Sequence, residues 1–138
     1  MKFELLLRKL KSFKLPRDQF AIMSSGVLAV RGLREARDID IIVTKKLWAR
    51  LSKENPARKN SKGYLVSLGE YVEAVGGRLE SQEKDFVRME RQIKNADIID
   101  GIRYVKLNEV KKFKRRLGRI KDLKDIKLID NYLKKKLK

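Results

Sequence analysis

The sequence predicts an α/β or α+β fold in a single domain that spans residues 1–138. Short apolar segments with strand character alternate with segments whose apolar residues recur at helical spacing, and this alternation indicates the class. The chain has 138 residues, which lies within the commonest range of domain lengths. Its 42% of hydrophobic residues suffices for a buried core, although 39% of the residues are charged.

The first predicted elements are a helix, a short strand and a second, short helix. Apolar residues at helical spacing predict a helix over residues 2–13. Because Glu4 interrupts the first apolar stretch and no small-residue cleavage site follows, this segment does not resemble a signal peptide. Residues 20–23 are typical of a short buried strand, the turn 24–26 follows, and residues 27–31 predict a short helix.

The middle of the chain predicts a strand, a helix and one long loop. In residues 38–43 acidic and apolar residues alternate at strand period, and Thr44 is a good N-cap for the helix that follows. Residues 52–63 are polar and contain Pro and Gly, so they predict the loop. Residues 64–75 are apolar enough for one or two strands, which the two following glycines break.

The last part of the chain predicts a helix, a pair of strands and a basic helical segment. Residues 81–94 have helical character, and residues 98–99 and 102–105 predict strands around an Asp-Gly turn. Asn108 is predicted to cap a C-terminal helix or helix pair over about 108–138. The predicted apolar face of this segment consists of Val110, Phe113, Leu117, Ile120, Ile126, Ile129 and Leu133.

Composition excludes several kinds of chemistry. The chain contains no Cys and no His, so disulfides, thiolate or imidazole catalysis and Cys/His zinc sites are excluded. Any bound metal must therefore be a hard, oxygen-ligated cation such as Mg²⁺. No apolar run of about 18 residues occurs, so we expect no membrane span and a cytoplasmic protein.

The charge balance favours a polyanionic partner. Lys and Arg number 36 against 18 Asp and Glu, which gives a net charge of +18, and the C-terminal segment is especially basic. Such a field attracts nucleic acid, so we expect contact with RNA. The alternative is a lysine-rich surface that serves only solubility.

Asp38 and Asp40 form the sharpest chemical feature of the sequence. At strand period both side chains would lie on one face, where two carboxylates repel each other unless a cation lies between them. Mg²⁺ suits such a site because hard cations prefer carboxylate and phosphate oxygens. Two such ions could stabilise the attacking and leaving oxygens of a nucleotide transfer. A strand with one acidic, solvent-facing side remains the alternative.

The surroundings of this acidic pair resemble a known superfamily. The small-residue turn lies upstream, where backbone N–H groups could approach a triphosphate, although an ordinary N-cap turn is the alternative. Residues 23–43, with this turn, a short helix and Asp38-Ile39-Asp40, resemble the signature of the polymerase-beta-type nucleotidyltransferase superfamily. Residues 32–40 are similar to small bacterial and archaeal members related to abortive-infection-type nucleotidyltransferase toxins. Residues 114–126 resemble the closing motif of that group.

The resemblance implies a nucleotidyltransferase fold, with a small mixed twisted sheet flanked by helices and a two-metal Mg²⁺ site for an NTP substrate. Asp38 and Asp40 would hold Mg²⁺. The residues implied at the nucleotide are Ser24, Ser25, Gly26 and Arg34. The residues implied near phosphates or the acceptor are Lys114, Arg119 and Lys121. Asp122 and Asp125 would orient those bases, or would simply form ion pairs along a helix.

The resemblance also implies a third carboxylate on a later strand, as a general base or a further metal ligand. Glu73 is the best candidate because residues 71–75 are strand-like. Glu70 and Asp85 are weaker candidates, and a surface role for Glu73 is the alternative reading.

The leading hypothesis is therefore an Mg²⁺-dependent enzyme that transfers a nucleoside monophosphate from NTP to a hydroxyl acceptor. The positive charge favours RNA, such as a tRNA end, over a cationic antibiotic. One alternative is an antitoxin-like minimal nucleotidyltransferase that binds or modifies a partner protein. Another is a catalytically degenerate nucleic-acid-binding module, which would lack a well-placed Glu73. A homodimer that builds an acceptor groove is compatible with a chain of this size.

Overall fold

The computed structural model describes residues 2–60, 63–78 and 81–137. Within these residues the chain forms six helices and one seven-stranded mixed sheet, which confirms the predicted mixture of helices and strands. The helices are α1 (Phe3–Ser12), α2 (Ser25–Ala29), α3 (Lys45–Glu54), α4 (Gln82–Lys94), α5 (Leu107–Leu117) and α6 (Ile120–Lys136). The strands are β1 (Phe20–Met23), β2 (Ile39–Val43), β3 (Arg58–Asn60), β4 (Gly63–Ser67), β5 (Val72–Val75), β6 (Asp97–Ile99) and β7 (Ile102–Tyr104).

The sheet has the strand order β3-β4-β5-β2-β1-β7-β6. The central strands β1 and β2 are antiparallel, and each has a parallel neighbour on its outer side, β7 beside β1 and β5 beside β2. Antiparallel pairs complete both edges. The sheet is therefore mixed, and its two central strands are those that flank the small-residue turn in sequence.

One face of the central strands is sealed by α1 and α2. Ile22 and its register partner Ile41 are fully buried. A Cβ on Gly26 of α2 would come within 2.5 Å of Ile22 Cγ2 and within 3.5 Å of a ring carbon of Phe3 in α1. Because side chains alternate along a strand, Asp40 lies on the face of β2 opposite to Ile41.

Several local predictions are confirmed. Thr44 caps α3, since its Oγ1 accepts a hydrogen bond from Leu47 N at 3.2 Å. The turn between β6 and β7 contains Asp100 and Gly101, both with positive φ, as two-residue hairpins require. The predicted C-terminal helix pair is α5 and α6, which Gly118 separates in the left-handed conformation.

The prediction of one long loop over residues 52–63 is wrong. Helix α3 continues to Glu54, and Arg58–Asn60 forms β3, an edge strand that pairs with β4. Residues 61–62 lie outside the described residues. All three residues of β3 are exposed, so the strand buries no side chain and leaves no apolar periodicity in the sequence.

Two predictions about the C-terminal segment are also wrong. Helix α5 begins at Leu107 after Lys106, so Asn108 is inside the helix and is not its cap. Of the predicted apolar face, Leu117 is 37% and Ile120 77% exposed. The buried positions on α5 and α6 include charged residues instead, namely Lys114, Asp122 and Asp125. Hydrophobic spacing could not predict these positions, because charged residues are rarely buried unless they are paired.

Helix α6 is the longest helix, with 17 residues, and lysines recur along its length. Among the helices that the described residues form, none has both the length and the apolarity of a membrane-spanning segment.

Candidate active site

The structure pairs two of the predicted carboxylates across the sheet. Asp40 on β2 lies directly opposite Glu73 on β5 in parallel register. Residues that are opposite each other on neighbouring strands present their side chains on the same face. On the other side of β2, Asp40 faces Met23, the last residue of β1. Both acidic residues are half-buried, so they line a part of the sheet that solvent reaches.

Asp38 lies just outside this strand geometry. The pairing of β2 with β5 begins at Ile39, whose N–H donates to Tyr71 O at 2.8 Å, so Asp38 occupies an exposed bend before the strand. Asp38 is therefore outside β2, and its alignment with Asp40 stays a prediction. Across residues 2–60, 63–78 and 81–137, no three acidic side chains are grouped closely enough to hold a metal ion in this conformation.

Arg58 is a site residue that the sequence did not reveal. It lies on β3, and its guanidinium forms an ion pair with Glu73, two strands away across β4. The same guanidinium donates to Ser67 Oγ at 3.3 Å. A positive charge thus lies beside Glu73 in the structure. A basic residue in a polar segment carries no sequence signal for this role.

The small-residue turn leaves β1 immediately after the residue that faces Asp40. Ser24 adopts φ 64° and ψ −130°, which is an unusual conformation for a residue other than glycine. Backbone strain of this kind is concentrated at functional sites. Gly26 is buried against Ile22, so its missing side chain serves the packing of α2 on β1. Helix α2 begins at Ser25, so the prediction of a turn over residues 24–26 is wrong, and Ser24 is the N-cap of the helix. Ser24 and Ser25 are partly exposed.

A second charged cluster gathers most of the other predicted residues. Arg34, on the segment between α2 and β2, donates from one guanidinium nitrogen to both carboxylate oxygens of Asp125, at 2.9 and 2.7 Å. Lys114 Nζ lies 2.8 Å from Asp125 Oδ2 and 3.8 Å from Asp122 Oδ1. The side chain of Lys114 is 5% exposed. Its ammonium group therefore faces two carboxylates inside the protein.

Arg119 caps α6 through the same cluster. Its Nε donates to Asp122 Oδ2 at 2.6 Å, and its backbone N–H donates to the same oxygen at 3.1 Å. The hydrogen bond from the Arg119 side chain lowers the pKa of Asp122, and it outweighs the opposing effect of burial. Lys121, in contrast, is exposed and forms no ion pair with any described residue.

The two weaker candidates for the third carboxylate lie elsewhere. Asp85, at the start of α4, accepts hydrogen bonds from Arg78 N and from Arg88, both at 2.6 Å. Burial would raise the pKa of Asp85, but these hydrogen bonds reverse the effect and lower it. Asp85 thus links Arg78, which precedes α4, to Arg88 within the helix. Glu70 is exposed, in the bend before β5, and Glu73 is the candidate that lies beside Asp40.

The structure thus separates the predicted residues into two groups. Asp40 and Glu73 lie side by side, Asp38 is two residues before Asp40, and the serine turn follows Met23, the register partner of Asp40 on β1. Arg34, Lys114 and Arg119 instead meet Asp122 and Asp125. Comparison of the chain with protein-family models, with curated proteins and with solved structures finds no match.

Proposed function

We propose that this chain is an Mg²⁺-dependent nucleotidyltransferase that transfers a nucleoside monophosphate from NTP to a hydroxyl group on RNA, such as a tRNA end. The observation that carries the proposal is the register of Asp40 and Glu73 on adjacent parallel strands. This pair lies where β1 ends and the serine turn begins. The sheet holds two carboxylates that are distant in sequence close together beside a small-residue turn. Such an arrangement suits a site for a metal-bound triphosphate.

The available donors suit Mg²⁺ in their chemistry. Asp38, Asp40 and Glu73 offer only carboxylate oxygens, which hard cations prefer. Asp38 and Asp40 would hold the metal with Glu73 beside them, and the Arg58 guanidinium would have to release Glu73 or share it. When bound, Mg²⁺ would offset the charge of the triphosphate and of the departing pyrophosphate.

The side chains of the chain would then position and deprotonate the acceptor. The acceptor hydroxyl oxygen forms a bond to the α-phosphorus while the bond from that phosphorus to the pyrophosphate oxygen breaks. Glu73 accepts the proton that the hydroxyl loses, as a general base. Ser24 and Ser25 would offer hydroxyl and N–H groups to the phosphates from the end of β1.

The charge of the protein supports a polyanionic acceptor. A net charge of +18 attracts RNA and repels cationic small molecules. Basic residues on α5 and α6 supply much of this charge on helices that are separate from the carboxylate strands. The acidic pair and the basic surface together provide what an enzyme needs to bring a metal-bound nucleotide to a phosphate-rich acceptor.

The Arg58–Glu73 ion pair favours one second candidate, a nucleic-acid-binding module without catalysis. If Arg58 keeps Glu73 occupied permanently, the carboxylates cannot complete a metal site. Such a protein would bind RNA through its charge alone, with strong salt dependence.

Incubation with labelled NTPs, Mg²⁺ and total tRNA tests the proposal. Wild type should transfer label to RNA, and Asp38→Ala/Asp40→Ala should reduce transfer at least about a hundredfold, since metal-assisted charge stabilisation is worth several kcal/mol. Asp18→Ala, which removes another exposed carboxylate, is the matched control and should retain activity. Transfer that survives the double substitution would refute the assigned site. Salt-sensitive RNA binding with no transfer by wild type would establish the non-catalytic module.

A further inference from the structure

A groove with basic walls lies between α4 and α5. Its volume is about 460 Å³. The residues that line it are Arg88 and Gln92 from α4, with Glu109, Lys112, Arg115 and Arg116 from α5. Four cationic side chains and one carboxylate therefore share a single concave surface.

The spacing of these residues gives the groove two helical walls. Lys112, Arg115 and Arg116 are separated by three and four positions, so they lie on one face of α5. Arg88 and Gln92 are four positions apart and lie on one face of α4. Gln92 Nε2 donates to Glu109 Oε2 at 3.2 Å and ties the two helices together. About one helical turn from this hydrogen bond, Arg88 on α4 and Lys112 on α5 make both walls of the groove basic.

The groove differs from the second charged cluster in how its charges are neutralised. Lys114 and Arg119 are held by Asp122 and Asp125. Arg115 is exposed and pairs with no carboxylate of the described residues. Arg116 is also exposed, and its guanidinium lies 6.0 Å from the centre of the Phe113 ring, again without a described carboxylate partner.

Of the two remaining cations of the groove, Lys112 is weakly compensated and Arg88 has a close carboxylate partner. Lys112 Nζ lies 3.9 Å from Glu109 Oε1, on an exposed surface where such a pair contributes little. Arg88 Nη1 forms an ion pair with Asp85 Oδ1 at 2.6 Å. Like charges that face one groove repel each other, and a bound polyanion would remove that repulsion.

We propose that this groove binds the phosphodiester backbone of a single nucleic-acid strand, with Arg115 and Arg116 in contact with phosphates. A guanidinium presents a planar pair of donors that matches two phosphate oxygens. A concave surface between two helices can hold a single nucleic-acid strand, whereas a flat bilayer surface cannot enter the groove. The site goes beyond nucleotidyl transfer, because it requires neither NTP nor a metal.

Binding measurements without NTP or Mg²⁺ test this site separately from catalysis. Fluorescence anisotropy would follow labelled single-stranded RNA and DNA of one sequence, about 16 nucleotides long, between about 50 and 200 mM salt. The groove variant is Arg115→Gln/Arg116→Gln. The matched control is Arg8→Gln/Lys11→Gln, which removes two exposed charges from α1, where neither residue pairs with a described carboxylate. Thermal unfolding by circular dichroism checks that both variants are folded.

The groove variant should bind the RNA about tenfold more weakly than the control variant does. Its plot of log affinity against log salt should be shallower than that of wild type by about 1.4, the value for two lost contacts with a single strand. An equal loss with DNA identifies the phosphodiester backbone as the ligand, and a larger loss with RNA identifies the ribose as a further contact.

Three results would overturn the site. The first is an equal loss of affinity in the groove and control variants, which would mean that only net charge matters. The second is no RNA binding by wild type at about 100 mM salt. The third comes from vesicles that contain phosphatidylserine. If the groove substitutions abolish vesicle binding and leave RNA binding unchanged, the surface serves a membrane.

Discussion

Arg58 on the edge strand β3 forms an ion pair with Glu73 on β5, and Glu73 in turn lies opposite Asp40. Under the proposed function, this guanidinium would compete with a metal cation for Glu73. The exposed fraction is 57% for the Arg58 side chain and 31% for Glu73, so the arginine can leave without disturbing the core. Exchange of this guanidinium for a metal would be the step that makes the site competent.

Replacement of Arg58 should therefore strengthen metal binding. In Arg58→Ala the carboxylates lose a competing positive charge, and we expect several-fold tighter Mg²⁺ or Mn²⁺ binding, since an adjacent charge acts strongly on a partly buried site. Isothermal titration calorimetry with the metal alone would measure the change. Arg8→Ala, on exposed α1, is the control for net charge. Unchanged or weaker binding in Arg58→Ala would show that the arginine does not compete for this site.

Gly26→Ala should destabilise the fold. Its new Cβ would come within 2.5 Å of Ile22 Cγ2, and such overpacking typically costs about 1–3 kcal/mol. Urea unfolding would measure the loss. In an Ile22→Ala background the clash is absent, so the same glycine substitution should cost less there. Equal costs in the two backgrounds would contradict the close packing of α2 on β1.

Lys114→Met should be more damaging than most single substitutions. It removes the ammonium group that Asp122 and Asp125 share. Arg119 and Arg34 still pair with these carboxylates, so the cost should not exceed the lower end of the about 3–5 kcal/mol for a buried charge left alone. Urea unfolding of Lys114→Met/Asp125→Asn should show a loss smaller than the sum of the two single losses, because each single substitution already breaks the contact between Lys114 and Asp125. A loss equal to that sum would argue against a direct interaction between the two residues.

Acid should weaken the protein through Asp122. The pKa of this carboxyl is lowered in the fold from its ordinary value of 3.8, so its ionised form stabilises the native state at neutral pH. That contribution is complete well above pH 3.8 and is lost as the pH falls through the lower folded pKa.

Unfolding free energies measured by urea titration at a series of acidic and neutral pH values would show this loss. Asp122→Asn should be less stable at neutral pH and should depend less on pH in the acid range. Some pH dependence of the unfolding free energy should remain in this variant, because the pKa of Asp85 is also lowered in the fold. If the unfolding free energy falls as steeply with acid in Asp122→Asn as in wild type, other carboxyl groups cause the effect.

The sequence predicted those parts of the structure in which apolar residues form a helical period or an unbroken short run. Helix α4 buries Phe86, Met89 and Ile93 at helical spacing and was predicted within one residue. Strand β1 was predicted from four consecutive apolar residues, of which the first three are buried. Glu73 was the preferred third carboxylate because residues 71–75 are strand-like and lie where the resemblance implies a later strand. Its register with Asp40 depends on contacts between distant segments, which periodicity does not describe.

Arg58 and Lys114 show where sequence reasoning ends. The strand that carries Arg58 is exposed along its length, and its place in the sheet comes from backbone hydrogen bonds to β4. Lys114 is buried only because two acids from the next helix surround it. Neither cause leaves a pattern in the adjacent residues, so one position was predicted to lie in a loop and the other to face phosphates.

The contact between Arg34 and Asp125 joins positions that are 91 residues apart in the chain. Protein synthesis releases the N-terminal part first, so β1, α2 and β2 leave the ribosome long before Asp125 is made. The segment that leads to Asp38 can therefore be anchored only after α6 has emerged and docked. The nascent chain would hold β2 and β5 well before it could fix the segment that precedes Asp38, so completion of the site waits until Asp125 has left the ribosome.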